Sequence, residues 1–394
     1  MKICFLLRIW PIYGGGETVT QILANEFVSR GLDVHIVYFI DNGWDKVCKL
    51  DKRIHNFRIH NVNIGRFHYD PMNSKYVIEK LSEYVNQQNI DIIINQWWPV
   101  EFFKGLSINH DYRLISVHHM NVFQKIQLPN NDLKSLIKKS FRSYFQNRYM
   151  NSRANSLVPF IQNSDKFVFL AESFISEFLK YTTLPIDADK LAFINNPISL
   201  ESDVLNFDLS RKEHIVLFVG RIDDNHKRLN YILQAWSLCE KKLGDWKLVI
   251  VGTGKDLKKN ILLSNKLHLN NVYFEGQQNP KPYYEKASLF VMTSHHEGWG
   301  MTLVEAQSYG VVPVVMNSFS SVSEIIKDDY NGLLIKDNDI RAFAEGIIKL
   351  ASLTEWREQL AINGMKSVRR FDVKLIANKW EELFESMFNV VRKK

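Results

Sequence analysis

Cysteine is scarce in this sequence, with three in 394 residues, Cys4, Cys48 and Cys239, far apart and without a CxxC pair. That excludes a disulfide framework and a zinc site of the usual spacing, and it suits a reducing compartment. Long hydrophobic runs are missing too, since nothing approaches the roughly eighteen unbroken apolar residues of a membrane span. The first apolar run, Ile3 to Leu7, stops at Arg8. It is too short for a secretory leader and reads as a strand, so the expected location is the cytoplasm, at most lying against a membrane. Heptads, repeats of fixed short period and nucleic-acid motifs are absent, and no nucleic-acid partner is expected. Charge of one sign is only mildly in excess: 50 Lys+Arg against 43 Asp+Glu gives +7, which suits an anionic partner without selecting one.

What is present is the composition of a globular chain, 45% hydrophobic and 24% charged, long enough for two domains. Short β-branched and Phe-rich runs alternate with helical stretches: Ile3 to Ile9, Val34 to Ile40, Ile90 to Ile94, Leu114 to Val117, Phe167 to Leu170 and Leu191 to Ile194. That cadence predicts a parallel sheet covered on both faces. The polar segment Asn206 to His214 interrupts it. The cadence restarts with Ile215 to Val219, Trp246 to Val251, Val272 to Glu275, Leu289 to Thr293 and Val311 to Met316. The expected fold class is therefore α/β, two doubly wound domains over residues 1–205 and 206–377. An amphipathic closing helix within Val373 to Val391 is expected to complete the first domain with residues 378–394.

Ligands of open parallel sheets bind beyond the carboxyl ends of the strands, and the unusual residues cluster there. After the first strand come Gly14, Gly15 and Gly16, opening a helix from about Glu17 to Arg30. Backbone without Cβ atoms at a helix N-terminus can approach a diphosphate, or simply turn tightly; the pattern is not the GxGxxG of nicotinamide enzymes. After the first strand of the second half, Gly220, Arg221 and Lys227 set two cations on one loop. They suit a departing nucleotide diphosphate, or are solvated surface charges. Further on, Ser294-His295-His296-Glu297-Gly298-Trp299-Gly300-Met301-Thr302-Leu303-Val304-Glu305 runs from strand end through a loop into a helix. Glu297 and Glu305 can accept hydrogen bonds from vicinal hydroxyls, as a ligand with a hexose and a ribose requires.

Together these motifs resemble the GT4 family of retaining glycosyltransferases with its E-x7-E signature, and the resemblance spans the chain, including Val251-Gly252-Thr253-Gly254. It implies a GT-B fold, two Rossmann-like domains facing a central cleft, and transfer of a hexose-type sugar from a nucleotide diphosphate sugar to a glycan or lipid-linked acceptor. It favours UDP over GDP and polysaccharide synthesis of the cell envelope as the setting. Carried over, Glu297 contacts the donor sugar, Glu305 the ribose diol, and Arg221 and Lys227 the diphosphate. Gly15, Gly16, Gly220, Gly298, Trp299, Gly300, Met301, Thr302 and Leu303 join them around the donor. His118 matches the family's active-site histidine, with His119 as competitor. The stretch Asn195-Asn196-Pro197 departs from the family, where Asn-Gly is common. Rivals of the same architecture are a nucleotide-sugar epimerase and an inactive partner subunit.

No metal or other cofactor is implied. Asp337-Asn338-Asp339 spells DxD, but Asp339 reads as the N-cap of a helix from Ile340, and Asp223-Asp224 and Asp328-Asp329 read as surface turns. Trp97 and Trp98 could stack on an acceptor sugar or pack in the core. Between Leu133 and Ser164, Lys134, Lys138, Lys139, Arg142, Arg148 and Arg153 occur without an acidic residue. Leu133, Leu136, Ile137, Phe141, Tyr144 and Phe145 take the opposite face. Such a helix over 133–153 can lie on an anionic bilayer or be merely solvated.

Overall fold

The computed structural model describes residues 1–11, 15–41, 49–62, 71–96, 98–122, 142–200 and 208–389. The chain forms two compact units, Met1–Pro197 with Val373–Lys394, and Ile198–Asp372. Both boundaries precede the sequence expectation. Ile198 pairs with Asp372, and its N–H donates to the Phe371 carbonyl at 2.8 Å. Such a backbone pairing leaves no hydrophobic pattern to read.

In the first unit the order is β1 (Lys2–Leu6), α1 (Gly15–Ser29), β2 (Asp33–Tyr38), β3 (His55–Arg58), α2 (Pro71–Gln88), β4 (Ile92–Asn95), α3 (Glu101–Lys104) and β5 (Arg113–His118). Then follow α4 (Arg142–Gln162), β6 (Lys166–Phe169), α5 (Glu172–Tyr181) and β7 (Leu191–Phe193). The sheet runs β3-β2-β1-β4-β5-β6-β7, every pair parallel. Central strands such as Ile92–Asn95 are buried along their whole length because helices cover both faces.

The second unit comprises β8 (Glu213–Val219), α6 (Leu229–Leu243), β9 (Lys247–Val251), α7 (Leu257–Lys266), β10 (Val272–Gly276), α8 (Lys281–Lys286) and β11 (Ala287–Met292). It continues with α9 (Met301–Ser308), β12 (Val312–Asn317), α10 (Val322–Ile325), β13 (Leu333–Lys336), α11 (Ile340–Ser352) and α12 (Thr354–Val368). Its sheet is β10-β9-β8-β11-β12-β13, again parallel. The last helix, α13 (Val373–Asn389), returns to the first unit. There Phe384 meets Phe27 of α1 at 5.7 Å, and Arg30 reaches Glu381 at 2.6 Å. These strand orders place the topological switch points between β1 and β4 and between β8 and β11, where loops diverge and leave room for a ligand.

Strands β3 and β13 have no counterpart in the sequence reading. Both lie at sheet edges, and β3, His-Asn-Phe-Arg, is half exposed. A strand with one unpaired side needs no apolar run, as β3 shows, and the run in β13, Leu333 to Ile335, is only three residues long.

Candidate active site

The second unit gathers its chemistry at its switch point. Neighbouring β8 and β11 bring their following loops together: the His295 N–H donates to the His226 carbonyl at 2.7 Å. Lys227 donates to Glu297 Oε1 between these loops, the side chains being 19% and 13% exposed. His226 Nδ1 lies 2.8 Å from His296 Nε2. Arg221 is exposed, and its side chain makes no hydrogen bond or ion pair among the described residues. One cation of the loop is thus committed to a carboxylate, while the other is open to an anion.

Glycines permit this junction. A Cβ on Gly252 would lie 1.9 Å from the Gly220 carbonyl oxygen, and one on Gly254 2.2 Å from that of Ile222. Gly252 also sits at φ +142°, a conformation costly for any residue with a Cβ. The β9 end therefore runs directly against the β8 loop, held by Gly220 N–H to Val251 O at 3.0 Å and Ile222 N–H to Thr253 O at 2.9 Å. The first of these bonds consumes the Gly220 amide, so the donor contact expected of Gly220 is not available from its N–H.

Gly300, in the left-handed region at φ +98°, ends the β11 loop and opens α9. Glu305 stands inside that helix and Glu297 in the loop before it. The Leu303 N–H is spent on the Gly300 carbonyl at 3.0 Å, which corrects the expectation that it grips the donor. The N–H groups of Met301 and Thr302 find no protein acceptor among the described residues, as first-turn amides do. Gly298 lies in the loop before them. Trp299 corrects a second expectation: its indole is 2% exposed and meets Phe371 edge-on at 5.2 Å, so it packs rather than faces a ligand. Tyr284 donates to Glu305 Oε2 at 3.0 Å. Burial nevertheless pushes the Glu305 carboxyl above its ordinary pKa.

Several organising residues escaped the sequence reading. Arg228, 5% exposed, donates to the Thr293 and Ser294 carbonyls and to Asp337 Oδ1, the last at 2.8 Å, clamping the β11 loop. Its only signal in the sequence was a cation beside Lys227. Asp223 and Asp224 do open a turn, but their side chains are buried rather than on the surface. Asp223 is buried and 3.1 Å from Lys255; burial alone would raise its pKa, but Lys255 and the Asn225 N–H hold it below the usual range. Asp224 accepts from Lys259 at 2.9 Å and from Asn260 at 3.1 Å. In the DxD segment, Asp339 accepts from the Ala342 N–H at 3.0 Å as the N-cap of α11. Asp328 accepts from the Leu334 N–H at 2.8 Å in a turn.

In the first unit, Gly15 and Gly16 form the first turn of α1, and the Thr20 hydroxyl donates to the Gly16 carbonyl; Gly14 lies outside the described residues. His118 ends β5 with its ring 6.0 Å from Phe169, and burial lowers its pKa to about 3. His119 is buried and joined through Nε2 to Gln96. Of the two histidines, His119 is tied to the scaffold and His118 is the more accessible. Trp98 corrects the acceptor expectation: it is fully buried, stacks on Phe39 at 4.2 Å and donates to the Leu7 carbonyl at 2.9 Å. Trp97 lies outside the described residues, as do Leu133 to Phe141 of the basic stretch. In the described part of that stretch α4 buries Met150, Ala154, Val158 and Ile161 on one face, but Tyr144 and Phe145 are exposed like Arg148 and do not join that apolar face.

The family model for glycosyl transferases group 1 matches residues 205–367, and that for glycosyltransferase family 4 matches residues 13–202. The chain belongs to the GT4-type glycosyltransferases of GT-B fold. An uncharacterized glycosyltransferase of Haemophilus influenzae is 24% identical to this glycosyltransferase over 387 residues, 96% of this chain and 99% of its own length. The alpha-1,4-N-acetyl-D-galactosaminyltransferase of Campylobacter jejuni acting on GalNAc-alpha-(1->4)-GalNAc-alpha-(1->3)-diNAcBac-PP-undecaprenol is 28% identical over 190 residues. That match spans 48% of this chain and about half, 53%, of the relative. Among solved structures, S. aureus TarM, crystallised as a point mutant with fondaparinux, alpha-GlcNAc-glycerol and UDP, superposes with a TM-score of 0.74 at 16% identity. The superposition covers 97% of this chain and 99% of TarM. No helix among the described residues is long and apolar enough to cross a membrane.

Proposed function

We propose that this glycosyltransferase moves a hexose-type sugar, with retention, from a nucleotide diphosphate sugar to a glycan or lipid-linked acceptor in envelope polysaccharide synthesis. UDP is the preferred nucleotide and GDP the second choice. The observation that carries this reading is the Lys227–Glu297 contact at the switch point of the second sheet, with Arg221 exposed on the same loop. The UDP bound to TarM and the undecaprenol-linked acceptor in the Campylobacter enzyme's name support the choice of donor and acceptor classes.

In this reading the sugar C1–O bond to the β-phosphate breaks, the acceptor oxygen bonds to C1 on the same face, and the departing phosphate takes the acceptor's proton. Arg221, Lys227 and the open amides of Met301 and Thr302 stabilise the negative charge left on the diphosphate. Two protein cations at that position make a metal ion unnecessary for the leaving group. Glu297 faces the hexose and Glu305 the ribose diol. His118, neutral because burial disfavours its charged form, serves the transferred sugar as a hydrogen-bonding group rather than as a cation. Exposed Tyr144, Phe145 and Arg148 suit shallow attachment to an anionic membrane surface.

The test is incubation with UDP-glucose, UDP-galactose, UDP-N-acetylglucosamine and GDP-mannose, with and without a lipid-linked acceptor and with EDTA present. A product whose anomeric configuration matches the donor's is expected. An inverted product overturns retention, an epimer formed without acceptor favours the epimerase, and failure to bind any nucleotide points to an inactive subunit.

A further inference from the structure

The amino ends of the outer strands of the first sheet carry a second constellation. Asp33 and His35 are two residues apart on β2 and so share a face. His55 of β3 is the register partner of His35. The three side chains therefore meet at the start of the outermost strands, with their ligating atoms all within 4.8 Å of one another. Asp33 Oδ1 lies 3.2 Å from His35 Nε2 and 3.4 Å from His55 Nε2. A tetrahedral ion with bonds near 2.0–2.1 Å requires neighbouring ligands about 3.3–3.4 Å apart.

His35 is 1% exposed, and its Nε2 makes no hydrogen bond despite that short approach to the carboxylate. Its other nitrogen, Nδ1, is 2.8 Å from the Tyr84 hydroxyl, and the Tyr84 ring is held by stacking on Phe57 at 4.2 Å. With the proton on Nδ1 donated to Tyr84, the Nε2 lone pair faces a carboxylate oxygen and is available to a cation; in the other tautomer Nε2–H faces Asp33 and Nδ1 accepts from the Tyr84 hydroxyl. An outer hydrogen bond that orients the imidazole is the usual support of a metal-ligating histidine. Lys2 Nζ sits 3.6 Å from the other carboxylate oxygen, Oδ2, leaving Oδ1 to the histidines.

We propose that Asp33, His35 and His55 form a binding site for a divalent transition-metal ion of the zinc type, tying edge strand β3 to β2. Two imidazoles and one carboxylate favour such an ion over magnesium or calcium, which prefer oxygen ligands. Solvent supplies the fourth position, since His55 and Asp33 are 58% and 37% exposed. The site lies at the amino ends of β2 and β3, and its role is to hold the edge together.

The test uses tag-free full-length protein stripped with a chelator and titrated with Co2+ and with Zn2+. Saturable visible absorption typical of tetrahedral cobalt is expected, with displacement by Zn2+ and a higher Tm when Zn2+ is bound. His55→Ala, at an exposed position, and Asp33→Asn should each weaken Co2+ binding by at least about tenfold, with unchanged circular dichroism reporting that the fold is kept. Absence of saturable binding by the wild type, or equal binding by the wild type and both variants, overturns the proposal.

Discussion

Lys227 and Glu297, 70 residues apart in sequence, share a hydrogen-bonded ion pair between the loops that follow β8 and β11. The cation assigned to the leaving diphosphate and the carboxylate assigned to the hexose are therefore one electrostatic unit before any ligand arrives. Removing either charge leaves the other uncompensated in a mostly buried place. Lys227→Met and Glu297→Gln should each lower kcat by at least about tenfold, roughly 1.4 kcal/mol. The double mutant should cost less than the sum, with a coupling of about 0.5–3 kcal/mol in a kinetic double-mutant cycle. Strictly additive costs would show that the two act separately.

Arg221 differs, because its side chain makes no polar contact among the described residues. Arg221→Gln should leave unfolding free energy within about 0.5 kcal/mol of wild type yet reduce kcat by about tenfold. Wild-type turnover in that mutant removes Arg221 from the leaving-group assignment.

Glu305 should trade stability against binding. Burial raises its pKa above the ordinary 4.5, with Tyr284 opposing only in part. The folded state keeps the proton to higher pH than the unfolded chain does. The contribution is complete below the unfolded value and is lost as pH rises through the folded one. Glu305→Gln should therefore raise Tm at neutral pH while weakening UDP binding by about 1–3 kcal/mol. Glu297→Gln should not weaken UDP binding, since UDP has no hexose and the change leaves Lys227 uncompensated and open to the diphosphate. Calorimetric titration of both mutants checks this, and the reverse pattern would invert the orientation given to the donor.

Trp98 is a core residue, so its loss should appear in stability and not in acceptor recognition. Trp98→Ala should cost about 3–5 kcal/mol in urea unfolding. Trp98→Phe should retain part of the stacking on Phe39 and restore some of that loss. A stable Trp98→Ala protein with a raised acceptor KM would return the residue to the acceptor site.

Attachment to anionic membranes is checked by sedimentation with phosphatidylglycerol vesicles. Wild-type protein should pellet at low salt and be released as salt screens the attraction. Replacing Tyr144, Phe145 and Arg148 together with Ser should weaken the association. No sedimentation of the wild type at any salt would leave those residues simply solvated.

Much of the architecture was legible because hydrophobic pattern reports burial. Strands such as Ile92–Asn95 are apolar throughout since both faces are covered, and the glycines and cations fall at strand ends because parallel sheets place their loops there. Edge strand β3 was invisible for the complementary reason, and β13 because its three apolar residues, Leu333 to Ile335, fall short of a strand-length run. Asp339 could be read as a helix cap from local order alone, since its bond to the Ala342 N–H spans three residues.

Local order along the chain set the alternation of strands and helices, the positions of the chemical groups along it and the family they spell. Tertiary structure alone decided which partners those groups take. It joined Lys227 to Glu297, turned the neighbouring Arg228 inward to clamp a loop, buried Trp98 and Trp299, and brought His35 beside His55. The physical reason is range. Propensity and periodicity act over a few residues, whereas these contacts depend on strand order and register, which bring together residues far apart in the chain.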